Sequence, residues 1–227
     1  MKIGIFTAMQ KEAASFLQGE FTQTKDGDFD VYFFKLANSD AVLCCPPSVG
    51  EIAAAAACQL LITKYQVDCI INFGVVGALT QSVALADFVL VGDVVHYDMD
   101  TSQVDNRPKA YYEYFDSISV ACSQELLAKA KSIANYPVVR CASADKFVGN
   151  ADEKTLLNKD YGADICDMES AGILFTCKFN NVPCLMIKCI SDSLFGSHDE
   201  YFANVYRITN GFFDMARKLV QGLERAE

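Results

Sequence analysis

Three carboxylates follow predicted strands at points where the chain is expected to turn into a helix. Glu12 comes soon after the strand Lys2–Thr7, and Asp192 follows an apolar run that ends in Ile190-Ser191. Glu169 opens a predicted helix. Ligands of open α/β sheets bind outside the carboxyl ends of the strands, where carboxylates can exchange protons with a ligand or accept its hydrogen bonds. These three side chains are the candidate chemical groups.

Each carboxylate also has a purely structural interpretation. Glu12 fits a solvated residue in the first turn of a helix, and Glu169 fits a partner for the positive end of a helix dipole. Asp192 fits a helix cap or a turn residue. Position alone therefore does not separate a catalytic role from a local one.

The elements that would position these groups alternate along most of the chain. Short apolar runs rich in β-branched and aromatic residues predict strands at Lys2–Thr7, Phe29–Leu36, Ala41–Cys45, Cys69–Phe73, Phe88–His96, Val138–Ala142 and Cys184–Ile190. Helical spacing predicts helices at Ile52–Lys64, Ser123–Ala134, Ser170–Phe179 and, as one long segment, roughly Glu200–Glu224.

The strand pattern predicts an α/β fold. Strands that are apolar throughout are typical of a sheet covered on both faces by helices. The short connection between Phe29–Leu36 and Ala41–Cys45 predicts an antiparallel hairpin, so the sheet should be mixed. We predict a single domain over residues 1–227, built as a three-layer α/β/α sandwich with a mixed central sheet. The weakly periodic stretch Asp100–Tyr114 is expected to be a long loop, serving as a lid or a subunit contact.

Composition excludes several classes of protein. The chain has 227 residues, 52% of them hydrophobic, and a formal net charge of −10 without any run of Lys or Arg. That surface would repel nucleic acid and anionic lipid. No apolar run approaches the ~20 residues that span a bilayer, and the first residues lack a signal peptide. We expect a cytoplasmic protein with neither a membrane nor a nucleic-acid partner.

Ten cysteines lie mostly inside apolar runs, and none forms a C-x-x-C pair. His96 and His198 are the two histidines that could join them in a metal site. Small buried thiols in a reducing compartment fit this pattern better than disulfides or zinc. We expect no structural metal and no cofactor.

At the level of motifs, the chain resembles the methylthioadenosine and S-adenosylhomocysteine nucleosidases of the purine nucleoside phosphorylase superfamily. Segments along nearly the whole chain carry the resemblance, in order. They are 1–12 with Ala8-Met9 before Glu12, Ser48-Val49-Gly50, 70–79, 87–94, 143–148, Asp167-Met168-Glu169-Ser170-Ala171 and Ile190-Ser191-Asp192. The resemblance implies a nucleoside phosphorylase-like fold and a nucleosidase that hydrolyses the N-glycosidic bond of methylthioadenosine or S-adenosylhomocysteine.

The resemblance also implies roles for the carboxylates. Asp192 would be the general acid that supplies or shares the proton reaching the purine N7, so that adenine leaves as a neutral molecule. Glu12 would be the general base that activates a water for attack on the anomeric carbon. Glu169 would accept hydrogen bonds from the ribose hydroxyls and position the sugar.

Further residues are implied to contact the substrate, an adenine nucleoside. Met168 would pack on the sugar, Phe147 would stack near adenine, and the Val148 main chain would bond the edge of the base. The other implied contacts are Met9 and Val49 in the apolar wall, Ser191 beside Asp192 or at the base edge, and Tyr201 as the aromatic residue over the nucleoside. Phe202 and His198 are alternatives for that last region, and core packing is the alternative for the apolar residues.

Two positions depart from the family pattern. Val75-Val76 stands where a small hydroxyl usually lies between the glycines Gly74 and Gly77, and Asp167 replaces a glutamate. Phosphate capture needs cations and donors, and the segment through Glu12 contains no arginine, so water is favoured as the nucleophile. The lost hydroxyl also raises the question of what would position that water.

Three alternatives stay open at this point. They are a phosphate-dependent purine nucleoside phosphorylase, a futalosine-type nucleosidase and a non-catalytic nucleoside-binding protein. The resemblance further implies a homodimer in which a loop of the neighbouring subunit closes the 5′ end of the pocket. Asp100–Tyr114 is our candidate for that loop.

Overall fold

The computed structural model describes residues 1–17, 19–196, 198–209 and 211–224. Within these ranges, ten strands join one sheet. They are β1 (Lys2–Phe6), β2 (Phe21–Asp26), β3 (Phe29–Leu36), β4 (Ser39–Cys45), β5 (Cys69–Ala78), β6 (Phe88–His96), β7 (Val120–Ala121), β8 (Val138–Ser143), β9 (Ile165–Asp167) and β10 (Cys184–Asp192).

The helices lie mostly between consecutive strands. They are α1 (Gln10–Ala13), α2 (Glu51–Thr63), α3 (Ser102–Asp105), α4 (Gln124–Ile133), α5 (Ala151–Tyr161), α6 (Ser170–Phe179), α7 (His198–Thr209) and α8 (Phe212–Glu224). Short 3₁₀ turns occupy Ala14–Phe16 and Glu113–Phe115. Within the described ranges, no helix is both long enough and apolar enough to cross a bilayer.

The sheet is mixed and partly closes on itself. Its strand order is β10-β6-β8-β9-β5-β1-β4-β3-β2, and β10 also pairs with β5. β5 runs parallel to β1 and β10 but antiparallel to the short strand β9. β5 therefore lies at the centre, and the ends of β1, β9 and β10 are brought close to it.

Apolar side chains on the two faces of the sheet form two core clusters. Ile70 of β5 and Met186 of β10 lie in one cluster with α2 and α6. Their neighbours Ile71 and Leu185 point to the opposite face and pack in a cluster with α4 and α8. Because consecutive residues of a strand face opposite sides, the molecule has the three layers that the sequence predicts.

Most predicted elements are confirmed, and their differences from the structure have local causes. The hairpin is formed by β3 and β4, which pair antiparallel through residues 30–45. The long C-terminal helix is wrong as a single element, because the structure has α7 and α8 with Gly211 in a turn between them. Asp100–Tyr114 is largely a loop but contains the one-turn helix α3.

Four further elements were not predicted, namely β2, β7, α5 and β9. All ten cysteines are buried thiols, as the sequence predicts.

Candidate active site

A cavity of about 250 Å³ opens at the ends of β1, β5, β9 and β10. All three candidate carboxylates line it. The other lining residues are Phe6, Ala8, Met9, Val49, Asn72, Phe73, Gly74, Val75, Val76, Gly77, Phe147, Cys166, Asp167, Met168, Lys188, Ser191, Tyr201 and Phe202. The fold thus gathers residues far apart in the sequence, such as Glu12 and Phe202, around one space.

Glu12 is held by main-chain donors at the base of the cavity. Its Oε2 accepts hydrogen bonds from the N–H groups of Ala8 and Met9, both at 3.0 Å, and its Oε1 accepts one from Val75 at 3.2 Å. The side chain is 1% exposed. Burial raises the pKa of Glu12 to about 7, although these N–H groups and the nearby ammonium of Lys188 oppose the rise. A carboxyl group that titrates near neutrality is suited to take a proton from water.

Val75 therefore contributes through its backbone. The valine lacks the side-chain hydroxyl that is usual between the two glycines. The contact to Glu12 uses the main-chain N–H, which any residue except proline supplies.

Asp192 ends β10 and is fixed on both oxygens. Lys154 of α5 places its ammonium 2.6 Å from Oδ2, and Ser191 places its hydroxyl 2.8 Å from Oδ1. Lys154 also donates to the carbonyl of Ser193 at 2.7 Å. Lys154 is completely buried and Asp192 is 2% exposed. Two charges so far from water persist only when each satisfies the other.

Glu169 is the N-cap residue of α6, as the sequence predicts for a carboxylate at that position. Its Oε1 accepts a hydrogen bond of 2.9 Å from the N–H of Gly50. Burial, followed by the nearby charge of Asp167, raises the pKa of Glu169 to about 8, while Lys188 acts in the opposite direction. The group faces the cavity beside Met168.

A second buried ion pair lies under the cavity. Lys188 of β10 donates to Asp167 Oδ2 at 2.7 Å, and both side chains are 2% exposed. Burial is the largest influence and would lower the pKa of Lys188, but the charge and hydrogen bond of Asp167, together with the nearby Cys141 and Glu169, raise it overall. The same pairing lowers the pKa of Asp167 against the effect of burial. Lys188 is thus a fixed positive charge between the carboxylates.

Two glycines of β5 mark where the carboxylates lie. A Cβ at Gly77 would be 2.9 Å from Asp192 Oδ2, and a Cβ at Gly74 would be 3.7 Å from Glu12 Oε1 and 3.5 Å from Lys188 Nζ. Three residues of a strand span roughly 10 Å. Glu12 and Asp192 therefore lie near separate points of the same strand, with room between them for a sugar and a water molecule.

The mouth of the cavity is apolar and exposed. Val49 is 48% exposed, Phe147 is 46% exposed and Phe202 is 51% exposed. The ring of Tyr201 lies 5.9 Å from that of Phe147, and its hydroxyl reaches Met9 Sδ at 3.5 Å. Aromatic and thioether groups at an open mouth can contact an apolar substituent.

One predicted contact, Val148, is not among the residues that line the cavity. Val148 is 4% exposed and packs in a third apolar cluster with Leu79 and Leu157, away from the cavity lining. Its main-chain contact to a base stays a prediction. His198 begins α7, and its side chain lies outside the described part of the structure.

The sequence reasoning missed Lys154, Lys188 and the acceptor Asn72. Lys188 had a visible signal, because it is a lone cation in the apolar strand Cys184–Asp192. Lys154 had none, because α5 reads as a polar surface helix. Asn72 is 1% exposed, and its Oδ1 has no partner among the described residues.

The sequence and the fold both match known proteins. Residues 2–220 match the phosphorylase superfamily. A 5′-methylthioadenosine/S-adenosylhomocysteine nucleosidase of Staphylococcus haemolyticus is 28% identical over 208 residues, covering 88% of this chain and 90% of its own. The nucleosidase of that name from Shewanella piezotolerans is 29% identical over 202 residues, covering 85% of this chain and 86% of its own.

Solved structures show the same fold. Futalosine hydrolase of Helicobacter pylori superimposes with a TM-score of 0.90 at 24% identity, covering 97% of both chains. The Campylobacter jejuni 5′-methylthioadenosine/S-adenosylhomocysteine nucleosidase superimposes with a TM-score of 0.90 at 21% identity, covering 97% of this chain and 99% of that one. The resemblance drawn from the motifs is confirmed, and the chain belongs to the phosphorylase superfamily.

Proposed function

We propose that the protein hydrolyses the N-glycosidic bond of an adenine nucleoside with an altered 5′ group, methylthioadenosine or S-adenosylhomocysteine, releasing adenine and the 5′-thioribose. The observation that carries the proposal is one cavity in which Glu12, Glu169 and Asp192 surround a fixed cation and open into an apolar mouth. The names of the curated relatives support the same reaction.

The chemistry follows from how each group is held. Glu12 takes a proton from a water molecule as that water attacks the anomeric carbon. The bond to N9 breaks, its electron pair moves into the base, and a proton shared between Asp192 and the Lys154 ammonium beside it passes through Asp192 to N7. Glu169 accepts hydrogen bonds from the ribose hydroxyls, and Lys188 offsets the negative charge gathered around the sugar.

Phosphate is a poorer nucleophile for this site than water. Among the residues described here, the cavity lining contains no arginine, and Lys188 is paired with Asp167. Phosphate binding requires several charge-assisted donors. Glu12 would also repel a phosphate while it is ionised, whereas water needs a base of this kind.

The apolar mouth supports a 5′ substituent that is itself apolar near the sugar. Met9, Val49 and Phe147 would contact a thioether, and the open rim leaves room for a longer tail beyond it. A futalosine-type nucleoside is the alternative substrate, which the assay below includes.

The test is adenine release by the purified protein from methylthioadenosine, S-adenosylhomocysteine, adenosine and inosine, with release of the base from futalosine measured alongside. Each substrate is measured with and without phosphate. The proposal expects release from the two thionucleosides at a rate that phosphate does not change. Release only with phosphate would assign a phosphorylase, and release from futalosine alone would assign the alternative substrate. Binding without any release would assign a nucleoside-binding protein.

We also propose that the protein is a homodimer. Support comes from apolar side chains that are exposed near the segment 100–114, namely Val104 at 88%, Tyr114 at 72% and, on α6, Phe179 at 55%. The rings of Tyr114 and Phe179 lie 5.2 Å apart, so they form one patch. A second copy would cover it and bring its own 100–114 segment towards the mouth of a cavity.

A further inference from the structure

A chain of hydrogen bonds runs behind the cavity from α2 to Lys188. The hydroxyl of Ser143, at the end of β8, lies 2.5 Å from Glu51 Oε1 and 2.7 Å from Asp167 Oδ1. Asp167 in turn holds Lys188. Glu51 is 8% exposed and Ser143 is completely buried. Glu51 does not line the cavity, and neither the motifs nor the proposed reaction gives it a role.

The hydrogen bonds from Glu51 through Ser143 to Asp167 require one proton more than Ser143 supplies. The Ser143 hydroxyl has one proton and can donate to one oxygen only. It nevertheless lies within hydrogen-bond distance of two carboxyl oxygens, one on Glu51 and one on Asp167. Two oxygens at such distances without a proton between them would repel, because both would be acceptors. One of the two carboxyl groups must therefore carry the second proton.

The surroundings decide which carboxyl group carries it. Asp167 accepts from Lys188 at 2.7 Å, from the Ser170 hydroxyl at 2.5 Å and from the Ser170 N–H at 3.2 Å, besides Ser143. That number of donors stabilises the ionised form. Glu51 accepts from the N–H of Gly172 on Oε2, and its Oε1 meets only Ser143 among the contacts of the described residues.

From this arrangement we infer that Glu51 is a neutral carboxylic acid in the folded protein, whose proton is donated to Ser143 so that Ser143 can donate to Asp167 and keep Lys188 in place. The one donor and the two acceptor sites of the Ser143 hydroxyl are then all used. It donates to Asp167, and it accepts from Glu51 and from the N–H of Ala171 at 3.1 Å. Glu51 is thus a positioning residue, since it acts on the cavity only through its neighbours.

The electrostatic surroundings of Glu51 agree with this assignment. Asp167 faces it from β9, Asp145 from the loop after β8, and Tyr112 from the segment before β7. Burial, then the charge of Asp167, raises the pKa of Glu51 to about 7. The N-terminus of α2 and the Gly172 N–H favour the anion and limit the rise.

The sign of the resulting pH dependence is fixed. A free glutamic acid titrates near 4.5, and folded Glu51 keeps its proton to about 7. Between these two pH values the folded protein binds one more proton at this site than the unfolded chain, so this contribution to stability is lost as the pH rises. A glutamine at position 51 can donate to Ser143 at every pH. We therefore expect the melting temperature of Glu51→Gln, relative to wild type, to rise from pH 5 to pH 8.

The experiment pairs this melting series with infrared spectra of the whole protein. At pH 6, where Glu12 and Glu169 also contribute carboxylic-acid carbonyl bands to the spectrum, wild type should show one such band that Glu51→Gln lacks and that the surface control Glu125→Gln keeps. Ser143→Ala retains Glu51 but removes its acceptor, so the same band should move to higher frequency, which tests the inference even if Glu51→Gln does not fold. A band that survives in Glu51→Gln and disappears in Asp167→Asn would overturn the inference, as would a melting difference that does not change with pH.

The effect on turnover rests on the proposed hydrolase function. Glu12 and Glu169 titrate in both proteins, so their effects cancel in the ratio of adenine release by Glu51→Gln to that by wild type. We expect this ratio to rise severalfold between pH 6 and pH 8.5, as wild-type Glu51 ionises and draws Lys188 out of place. A flat ratio would overturn the link to the cavity. Absence of any release by wild type would instead refute the proposed function, and the spectra and melting series would still test Glu51.

Discussion

At the scale of single residues, burial changes what ordinary carboxylates can do. Glu12 and Glu169 would both be ionised at neutral pH in water, but burial moves their pKa values to about 7 and about 8. Main-chain N–H groups and Lys188 keep these values from rising further. The cavity therefore holds carboxyl groups that gain and lose protons in the range where an acid–base enzyme works.

The first prediction concerns Glu12 as the base. Because water activation needs the ionised form, kcat/KM should fall about tenfold per pH unit below a pKa near 7. Glu12→Gln should lower kcat by roughly two to four orders of magnitude and leave KM nearly unchanged. Steady-state adenine release between pH 5 and pH 9 measures both. Turnover by Glu12→Gln close to wild type would show that another group activates the water.

The second prediction concerns the buried partner of Asp192. Lys154→Met leaves Asp192 without its ion pair, which should destabilise the protein by about 3–5 kcal/mol and lower kcat because the carboxylate is no longer held. Lys159→Met, an exposed position on the same helix, is the matched control and should change neither quantity. Urea unfolding and adenine release would be measured on both. Equal stability of the two variants would contradict the ion pair.

Asp192→Asn tests proton transfer to N7 separately from nucleoside binding. The asparagine has nearly the same shape and can still bind a nucleoside, but its amide cannot pass a proton to N7 as a carboxyl group can. We expect kcat to fall by at least two orders of magnitude while the affinity for a thionucleoside, measured by calorimetry, changes little. Near-normal turnover would rule out Asp192 as the acid.

What the sequence could reveal of the site depended on the type of residue. Glu12 and Asp192 follow predicted strands and Glu169 opens a predicted helix, and such ends can be recognised from the apolar pattern of the element. Their partners Lys154 and Lys188 belong to an ordinary helix and to the interior of a strand. A pattern of polarity shows that Lys154 is present, but not that its ammonium is buried against Asp192, 38 residues further along the chain.

At the scale of elements, close packing between α2 and α6 positions Glu169 in the cavity. A Cβ added at Gly172 would collide with the backbone oxygen of Glu51 at the start of α2. The start of α2 also supplies the Gly50 N–H that holds Glu169. Gly50 has a φ of 109°, a conformation that favours glycine. The position of Glu169 is thus set by how closely the two helices approach.

Gly172→Ala tests this packing. The extra methyl group should push α6 away from α2, lower the melting temperature and raise KM, because Glu169 loses its anchor. Gly211→Ala is the control, since a Cβ there would meet its nearest neighbour, Phe88, at an ordinary 3.5 Å. Differential scanning calorimetry and steady-state kinetics would compare the two. A Gly172→Ala protein that melts with wild type would contradict the close approach.

The strands and strand ends missed by the sequence analysis share one cause. β2 is exposed along nearly its whole length, so it carries no apolar run, and β9 has only three residues. β5 was predicted to end at Phe73, yet it continues to Ala78 because β10 and β9 pair with it there. These strands form because they pair with other strands of the sheet, and the local sequence pattern carries no information about that pairing.

At the scale of the whole molecule, net charge opposes the association of two copies, and exposed apolar surface favours it. The formal charge of −10 makes two copies repel. Tyr114 and Phe179 form an exposed aromatic patch, and the partly buried ring of Phe115 stacks on Phe179 at 5.7 Å. Covering such a patch favours association. Repulsion between the copies is screened by salt, whereas burial of the rings is not.

The last prediction follows from that balance. The proposed dimer should tighten as sodium chloride is raised, because screening removes repulsion and leaves the apolar contact. Tyr114→Lys with Phe179→Lys should give a monomer, while Leu156→Lys, a 52% exposed apolar residue on α5, should remain dimeric. Sedimentation equilibrium at several salt concentrations would measure the association. If the segment 100–114 of a second copy closes the cavity, the monomeric variant should also show a higher KM for thionucleosides. A monomeric wild type, or a double variant that stays dimeric, would place the patch outside any subunit interface.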